Sequence, residues 1–542
     1  MKTLLNVRST AVLAAALLAS VPAGAQGDRP VLQLALADAV KRVIEHNPDL
    51  AIVRLDTEVE AARVGETRGA YAPVFETALG RSRNTTPPTN ILLGDTGVDV
   101  KDWFSSTGIR QRVPIGGGTW SVSWDTARTT TNNPITSFDP NLQSGLQFAF
   151  SQPLIRDRAI DSARAQYIVA RRNQDSSELR FRESVVQTVA TVKRAYWTLK
   201  ATIANVAAQQ QSLDLASELA RQNRIRVNAG QIPPVDLVQA EAEVAQRREN
   251  LIQAGAAAED AEDRLRRLIM DPADASFWNV RLDPIDAPSD RGVTPDLEAA
   301  VSKALAGRYD LARANHDLEN ATTNVDFLKN QRLPDVRIET SYRGAGLAGT
   351  QFLRAGEFPG VVTGTRSRSF GDALGQAFTS EYPTWSAGVT ISYPLGHSYE
   401  DASAARAEIE RRQAAQRIAS LRLEAAESVR QSARRVRSAA ERVDAAKAGA
   451  TLAEQRFKDE QRRFDVGLST TFLVTQAQRD LLQAQVNVLQ TMLDYESAAI
   501  DLEAVQSAPL GGPGESLGLR GADIVLLPTP APHGIFRASG GQ

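Results

Sequence analysis

The residues best equipped for chemistry in this chain are spaced in ways that argue against catalysis. Four histidines, His46, His316, His397 and His533, lie far apart. They show neither the short spacings that bind a metal nor a nucleophile pattern beside them. Carboxylates are plentiful along the presumed helices, where charge is the ordinary mark of a solvated face. With no cysteine and three methionines, the chain has no thiolate nucleophile, no disulfide and no soft-metal relay. Gly116-Gly117-Gly118 could cradle a phosphate, but no Lys-Ser/Thr follows, so it reads as a turn. The net charge of −2, from 62 basic and 64 acidic residues, offers no basic surface for nucleic acid. The residues therefore point to no enzyme, no cofactor and no metal site. No nucleotide motif supplies energy.

The elements around these residues are more informative. Residues 1–25 read as a secretory signal. Lys2 and Arg8 give a charged start, residues 10–21 an apolar run too short to span a bilayer, and Ala23-Gly24-Ala25 a small-x-small cleavage site. Nothing later has the apolar length of a transmembrane helix, so any membrane contact must come through strands or a surface. Ala, Arg, Gln and Glu crowd the presumed helices, and aromatic residues make up only 6% of the chain, which suits coiled coils better than an enzyme core.

The chain repeats its landmarks. Asp49-Leu50 recurs as Asp310-Leu311, and Pro73 as Pro334, at a shift of 261 residues. Pro153-Leu154 recurs as Pro394-Leu395 at a shift of 241. Gly230 with Gln239-Ala240 recurs as Gly467 with Gln476-Ala477 at a shift of 237. A constant order of landmarks predicts two copies of one unit. The division is 1–25 signal, 26–270 repeat 1, 271–295 linker, 296–506 repeat 2, and 507–542 a Gly/Pro-rich tail expected to be flexible.

Each repeat reads helix, strands, long helix, long helix. Helical pattern over 37–70 is interrupted at Asn47-Pro48 and closed by Pro73. Period-two alternation then takes over, to about residue 155 in repeat 1 and over 335–395 in repeat 2. In 146–151, Leu146, Phe148 and Phe150 share one face. In 385–393, Val389 and Ile391 lie on the apolar side with Trp385 and Tyr393, and 336–342 alternates likewise. On pattern alone these strands suit an ordinary half-buried sheet first, since barrel signals are weak per strand, but they also suit a membrane barrel. Repeat 1 holds about 20 extra residues, read as a hairpin of 107–113, a glycine turn and 119–125.

Heptad seams mark the long helices. Val185, Val189, Val192, Tyr196, Leu199, Ile203 and Val206 alternate spacings of four and three, and Val429, Val436, Val443, Ala450, Phe457 and Phe464 recur every seven. About 70 residues from near Arg158 to Asn228 contain no proline or glycine, which predicts a helix of roughly 100 Å. Gly230 and Gly467 end these helices at tips, where glycine can take the left-handed conformation. Each unit offers two or three strands. That is too few to close a barrel alone, so membrane strands would require several chains to share one barrel.

The opening 34–50, the prolines before the strands, the elements 151–155 and 392–395, and the two glycine tips with Gln-Ala following together resemble the TolC-type outer-membrane efflux proteins. The resemblance covers roughly residues 32–506. It implies a mostly α-helical membrane protein with long coiled-coil hairpins and a β-barrel shared by a homotrimer, twelve strands in all. It also implies outer-membrane lipid around the barrel, a periplasmic helical tunnel, an adaptor on the tips, and an inner-membrane pump behind the adaptor. The implied path is a gated passive conduit for efflux or type I secretion. Carried-over tip positions are Gly230, Asp236, Gly467, Leu468 and Leu473; some relatives carry an acidic ring where this chain has Leu473 and Gln476. Lipid-facing candidates are Leu146, Phe148, Phe150, Val389 and Ile391. The alternative is a soluble periplasmic adaptor, which also carries a coiled-coil hairpin but usually only one, flanked by β domains. A coiled-coil spacer is a third reading.

Overall fold

A computed structural model describes residues 30–87, 97–288, 295–357, 360–396 and 398–506. The signal at 1–25, the tail at 507–542 and two of the histidines, His397 and His533, lie outside the described residues. The elements run β1 (Val31–Leu34), α1 (Leu36–His46), α2 (Pro48–Gly69), β2 (Val74–Thr86), β3 (Val98–Arg112), β4 (Thr119–Thr131), β5 (Phe138–Pro153), α3 (Ser162–Asn228) and α4 (Pro234–Ile269). They continue β6 (Arg281–Pro284), α5 (Leu297–Gly307), α6 (Tyr309–Gln331), β7 (Asp335–Ala355), β8 (Val361–Arg368), α7 (Phe370–Thr379), β9 (Tyr382–Ser392), α8 (Tyr399–Asp465) and α9 (Thr471–Val505). Helices α3 and α8 each have 67 residues, about 100 Å of helix. No described helix is apolar enough to cross a membrane.

The chain divides into two compact units. The first joins residues 30–47, 191–288 and 442–497. Here β1 and β6 pair in parallel, Val31 opposite Arg281 through Leu34 opposite Pro284. The segment 271–295, read as a linker, thus supplies a strand, preceded by a single 3-10 turn at Ala275–Asn279. Tyr196, on the predicted α3 seam, is fully buried and donates its hydroxyl to the Leu34 carbonyl at 3.0 Å and to Asp286 at 2.5 Å. Burial and the Asp286 carboxylate push its phenol up, so it stays a neutral donor. Arg266 is likewise buried. It is held by Glu262 at 2.5 Å, by Asp263 and by the Val280 carbonyl at 2.7 Å, with Trp278 beneath its guanidinium.

The second unit joins residues 48–190, 295–441 and 498–506. Its centre is a seven-stranded antiparallel sheet ordered β2-β3-β4-β5-β7-β8, with β9 also on β7. Strand β7 is long enough to serve two partners: Asp335–Ala345 pairs with β9, and Gly349–Ala355 with β8. Between them the Leu347 amide donates to the Gln376 side chain of α7 at 2.9 Å. The predicted hairpin forms, and its strands run the full depth of the sheet from Val98 to Thr131. Six strands therefore lie abreast at the level of β9, where the family resemblance implied four.

A second departure is α7, a helix inside the stretch 335–395 where alternation predicts strand, and local chemistry explains both. Gly116 and Gly117 turn at φ 77° and 72°, and a side chain on Gly117 would strike the Asp157 carbonyl at 2.5 Å, so only glycine lets this turn sit against the start of α3. Asp157 secures the neighbourhood: its amide donates to Asn330 at 2.7 Å, and its carboxylate accepts from Gln331 at 2.7 Å and Arg337 at 3.2 Å. Helix α7 starts with a capping box, Ser369 Oγ accepting from the Asp372 amide at 3.3 Å and Asp372 accepting from the Ser369 amide at 2.7 Å. It lies flat on β7, where a Cβ on Gly344 or Gly346 would fall 2.3 or 1.9 Å from a helix carbonyl.

Candidate functional site

Two regions bear on function, and the first is the sheet. Cross-strand register sorts its side chains into two chemically distinct faces. On one face Phe148 opposes Val122 and Tyr342, Leu146 opposes Trp124 and Gly344, and Phe150 opposes Trp120 and Thr340. The row continues into β9, where Val389 opposes Ile338 and Ile391 opposes Val336. All five residues predicted to face lipid thus share one face. Phe75 and Leu79 of β2 and Ile109 and Trp103 of β3 extend it. Much of this apolar surface is uncovered: Leu79 is 78% exposed, Ile391 69% and Val389 60%.

The opposite face is polar and internally bonded. Arg110 donates to Glu76 at 2.6 Å, Ser106 to Asp125 at 2.6 Å, Thr129 to Asp102 at 2.6 Å, and Ser341 lies 2.7 Å from Ser386. A sheet in water hides its apolar face and solvates the other. This sheet presents both, and its outer strands β2 and β9 have no further partner among the described residues.

The second region is the pair of helical tips. Gly230 and Gly467 take φ 68° and 79°. Each closes a Schellman motif: Gln231 donates to the Arg226 carbonyl at 2.8 Å and Gly230 to Val227 at 2.9 Å. Leu468 donates to Arg463 at 2.7 Å and Gly467 to Phe464 at 3.1 Å. The tips share a small core of Leu219, Phe464 and Val474, and Arg226 stacks on Phe464 at 4.2 Å. Buried Asn223 donates to Thr471 at 3.2 Å and to the Asp236 carbonyl at 3.4 Å. Asp236, in the first turn of α4, is half-buried; Leu468 and Leu473 are exposed. Val466, Phe472, Val235 and Val238 add further uncovered apolar surface to the tips.

One cluster near the tips went unread in the sequence. Glu243 is buried, accepts from Arg247 at 2.6 Å, and accepts a two-point bond from Nε and Nη2 of Arg479. Burial alone would raise its carboxyl, but the Arg479 bonds and both positive charges outweigh that and hold it below the usual carboxylate range. The signal was present: the α4 seam steps through Ala240 and Val244 to Leu251, and the slot between them holds Arg247. Among the described residues no cluster of His, Asp and Glu could hold a metal ion.

This chain belongs to the outer membrane efflux protein family, whose model matches residues 39–269 and 300–506. Among solved structures it is similar to the outer-membrane channel OprN, with 17% identity, a TM-score of 0.62, and 87% of this chain and 90% of that one covered. It is also similar to the CmeC outer membrane channel of Campylobacter jejuni, at 16% identity, TM-score 0.61 and coverage of 87% and 85%. A third is the outer membrane protein VceC of Vibrio cholerae, at 15% identity, TM-score 0.60 and coverage of 87% and 96%. At these identities the likeness establishes the fold. No curated protein sequence matches the chain.

Proposed function

We propose that the chain is one subunit of an outer-membrane efflux channel, a passive conduit built from three copies. The observation that carries this reading is the two-faced sheet: one face apolar and largely uncovered, the other polar and hydrogen-bonded, with an outer strand at each side, β2 and β9, that has one free edge among the described residues. Lipid on the first face and water on the second satisfy both. An open edge cannot face lipid, because unpaired backbone groups there cost several kcal/mol each, so β2 of one copy pairs with β9 of the next. Six strands from each of three chains close a barrel of about eighteen strands rather than twelve, and diameter grows roughly linearly with strand number.

The helical hairpins repeat between the halves and, in this reading, line a periplasmic tunnel. The exposed apolar residues around Gly230, Leu468 and Leu473 contact a periplasmic adaptor, which links the channel to an inner-membrane pump. Asp236 and the Glu243–Arg247–Arg479 cluster are gate candidates, and the leader at 1–25 directs export. The soluble-adaptor reading is not favoured, because it leaves the apolar face of a seven-stranded sheet in water.

The absence of native cysteine makes a direct test possible. Cysteines placed singly along β2 and β9, in pairs such as Thr77→Cys with Ala387→Cys, are oxidised in membranes. A covalent ladder ending at the trimer is the expected outcome. Cross-links that stop at the dimer, or none across the full register scan, would contradict the shared barrel.

A further inference from the structure

The apolar face carries a feature that the conduit does not use. At the strand ends away from Pro73 and Pro153, the apolar band gives way to cations. Arg81, Trp103 and Arg128 occupy one cross-strand row, with Trp103 between the two arginines. Arg81 lies over the Trp103 ring at 5.2 Å. One row further out, Arg83 and Lys101 are paired, and Asp99 sits 2.8 Å from Arg83 and 3.4 Å from Lys101. Four cations thus face one carboxylate. The inner row borders a groove of about 520 Å³, lined by Leu79, Arg81, Trp103, Arg128, Leu142 and Phe370. Phe370 is the first residue of α7, so the start of that helix closes one side of the groove and the sheet forms its floor.

We infer that this groove binds a phosphate-bearing anionic membrane lipid, its headgroup on Arg81 and Arg128 and its acyl chain on the apolar band. The inference rests on the proposal that this face meets the bilayer. Arginine suits a phosphate because its planar fork gives two parallel donors, and an indole between two such forks marks the interfacial depth where headgroups sit. The groove runs on into the apolar band through Leu79 and Leu142, and a free anion would have no use for that wall. Deletion or unwinding of α7 would open the groove and weaken retention of the lipid.

The test uses detergent-purified full-length protein and native mass spectrometry with added dioleoylphosphatidylglycerol, dioleoylphosphatidylcholine or inorganic phosphate. The anionic lipid should be retained about tenfold more tightly than the zwitterionic one. Arg81→Gln with Arg128→Gln should erase that preference while oligomer mass and conductance stay unchanged. Retention unaffected by the double substitution would overturn the site. Displacement of the lipid by millimolar phosphate alone would reassign it to a free anion and overturn the lipid assignment. Phe370→Ala gives a second arm: lipid release should quicken with the arginines intact, and an unchanged rate would remove α7 from the site. A protein that inserts in membranes but shows no lipid preference refutes only this inference, whereas one that never inserts refutes the channel reading.

Discussion

The two halves of this chain differ far more in their strands than in their helical tips. Both tips close with glycine in the left-handed conformation and the same pair of backbone bonds. The strand stretches diverge. Residues 74–153 make four full strands, whereas 335–392 make β7, β8 and β9 with α7 laid over the sheet. A helix end has few ways to satisfy its last carbonyls, so the tip solution is narrow. A sheet bounded by lipid and water constrains only which face is apolar, so a hairpin or a helix can be accommodated. Strand number can therefore differ between the halves while the tips stay alike.

The sharpest attempt to break this comparison is to remove its main difference. Deleting residues 98–137 joins β2 to β5 and should return each chain to four strands at the level of β9. Electron cryomicroscopy should then count about twelve strands in the trimer instead of about eighteen, and the barrel cross-section should fall about twofold. A trimer that fails to assemble would mean the hairpin is required for closure. Next in size is Gly346→Val, which forces side-chain atoms into the Ala373 carbonyl. It should cost about 3 kcal/mol in denaturant unfolding, from overpacking against backbone. Gly80→Ala in the first half meets only the Phe104 ring, which can swing aside, and should cost clearly less.

Smaller effects sharpen the likeness of the tips. Gly230→Ala and Gly467→Ala meet no neighbour and suffer only left-handed strain. Each should cost about 1 kcal/mol, equally at both tips, by the same unfolding measurement. Ser369→Ala removes the α7 capping box and should cost about 1 kcal/mol, with no counterpart in the first half. The smallest effect is in pH dependence. Because the Glu243 carboxyl is held below its unfolded value, its contribution is complete above about pH 4.5 and is lost as pH falls through the depressed value. Arg479→Gln should flatten that acid loss in unfolding titrations.

Much of this architecture was legible in the sequence because it is local. Heptad seams gave the long helices; α3 starts at Ser162 where proline- and glycine-free sequence predicted a start near Arg158. Alternation gave β5, β9 and the start of β7, and marked the hairpin that became β3 and β4. The pairing of β1 with β6 was not legible, because two four-residue strands some 250 positions apart leave no periodic trace. Helix α7 was missed beneath the β alternation around it, although Ser369 and Asp372 spell a capping box and Gly344 and Gly346 clear its path. The tip glycines were legible from turn chemistry. Arg247 was visible only as a charge in an apolar seam, and Arg479, which binds the same Glu243 carboxylate, lies 232 positions away.

The most direct test of the channel is the single-channel conductance of detergent-purified protein in a planar bilayer, taken beside its cross-linked mass. The account predicts a trimer with low conductance that rises when the tips are loosened at Asp236 or around Gly467. A water-soluble protein that never inserts, or a trimer that inserts without conducting under any tip substitution, would contradict it.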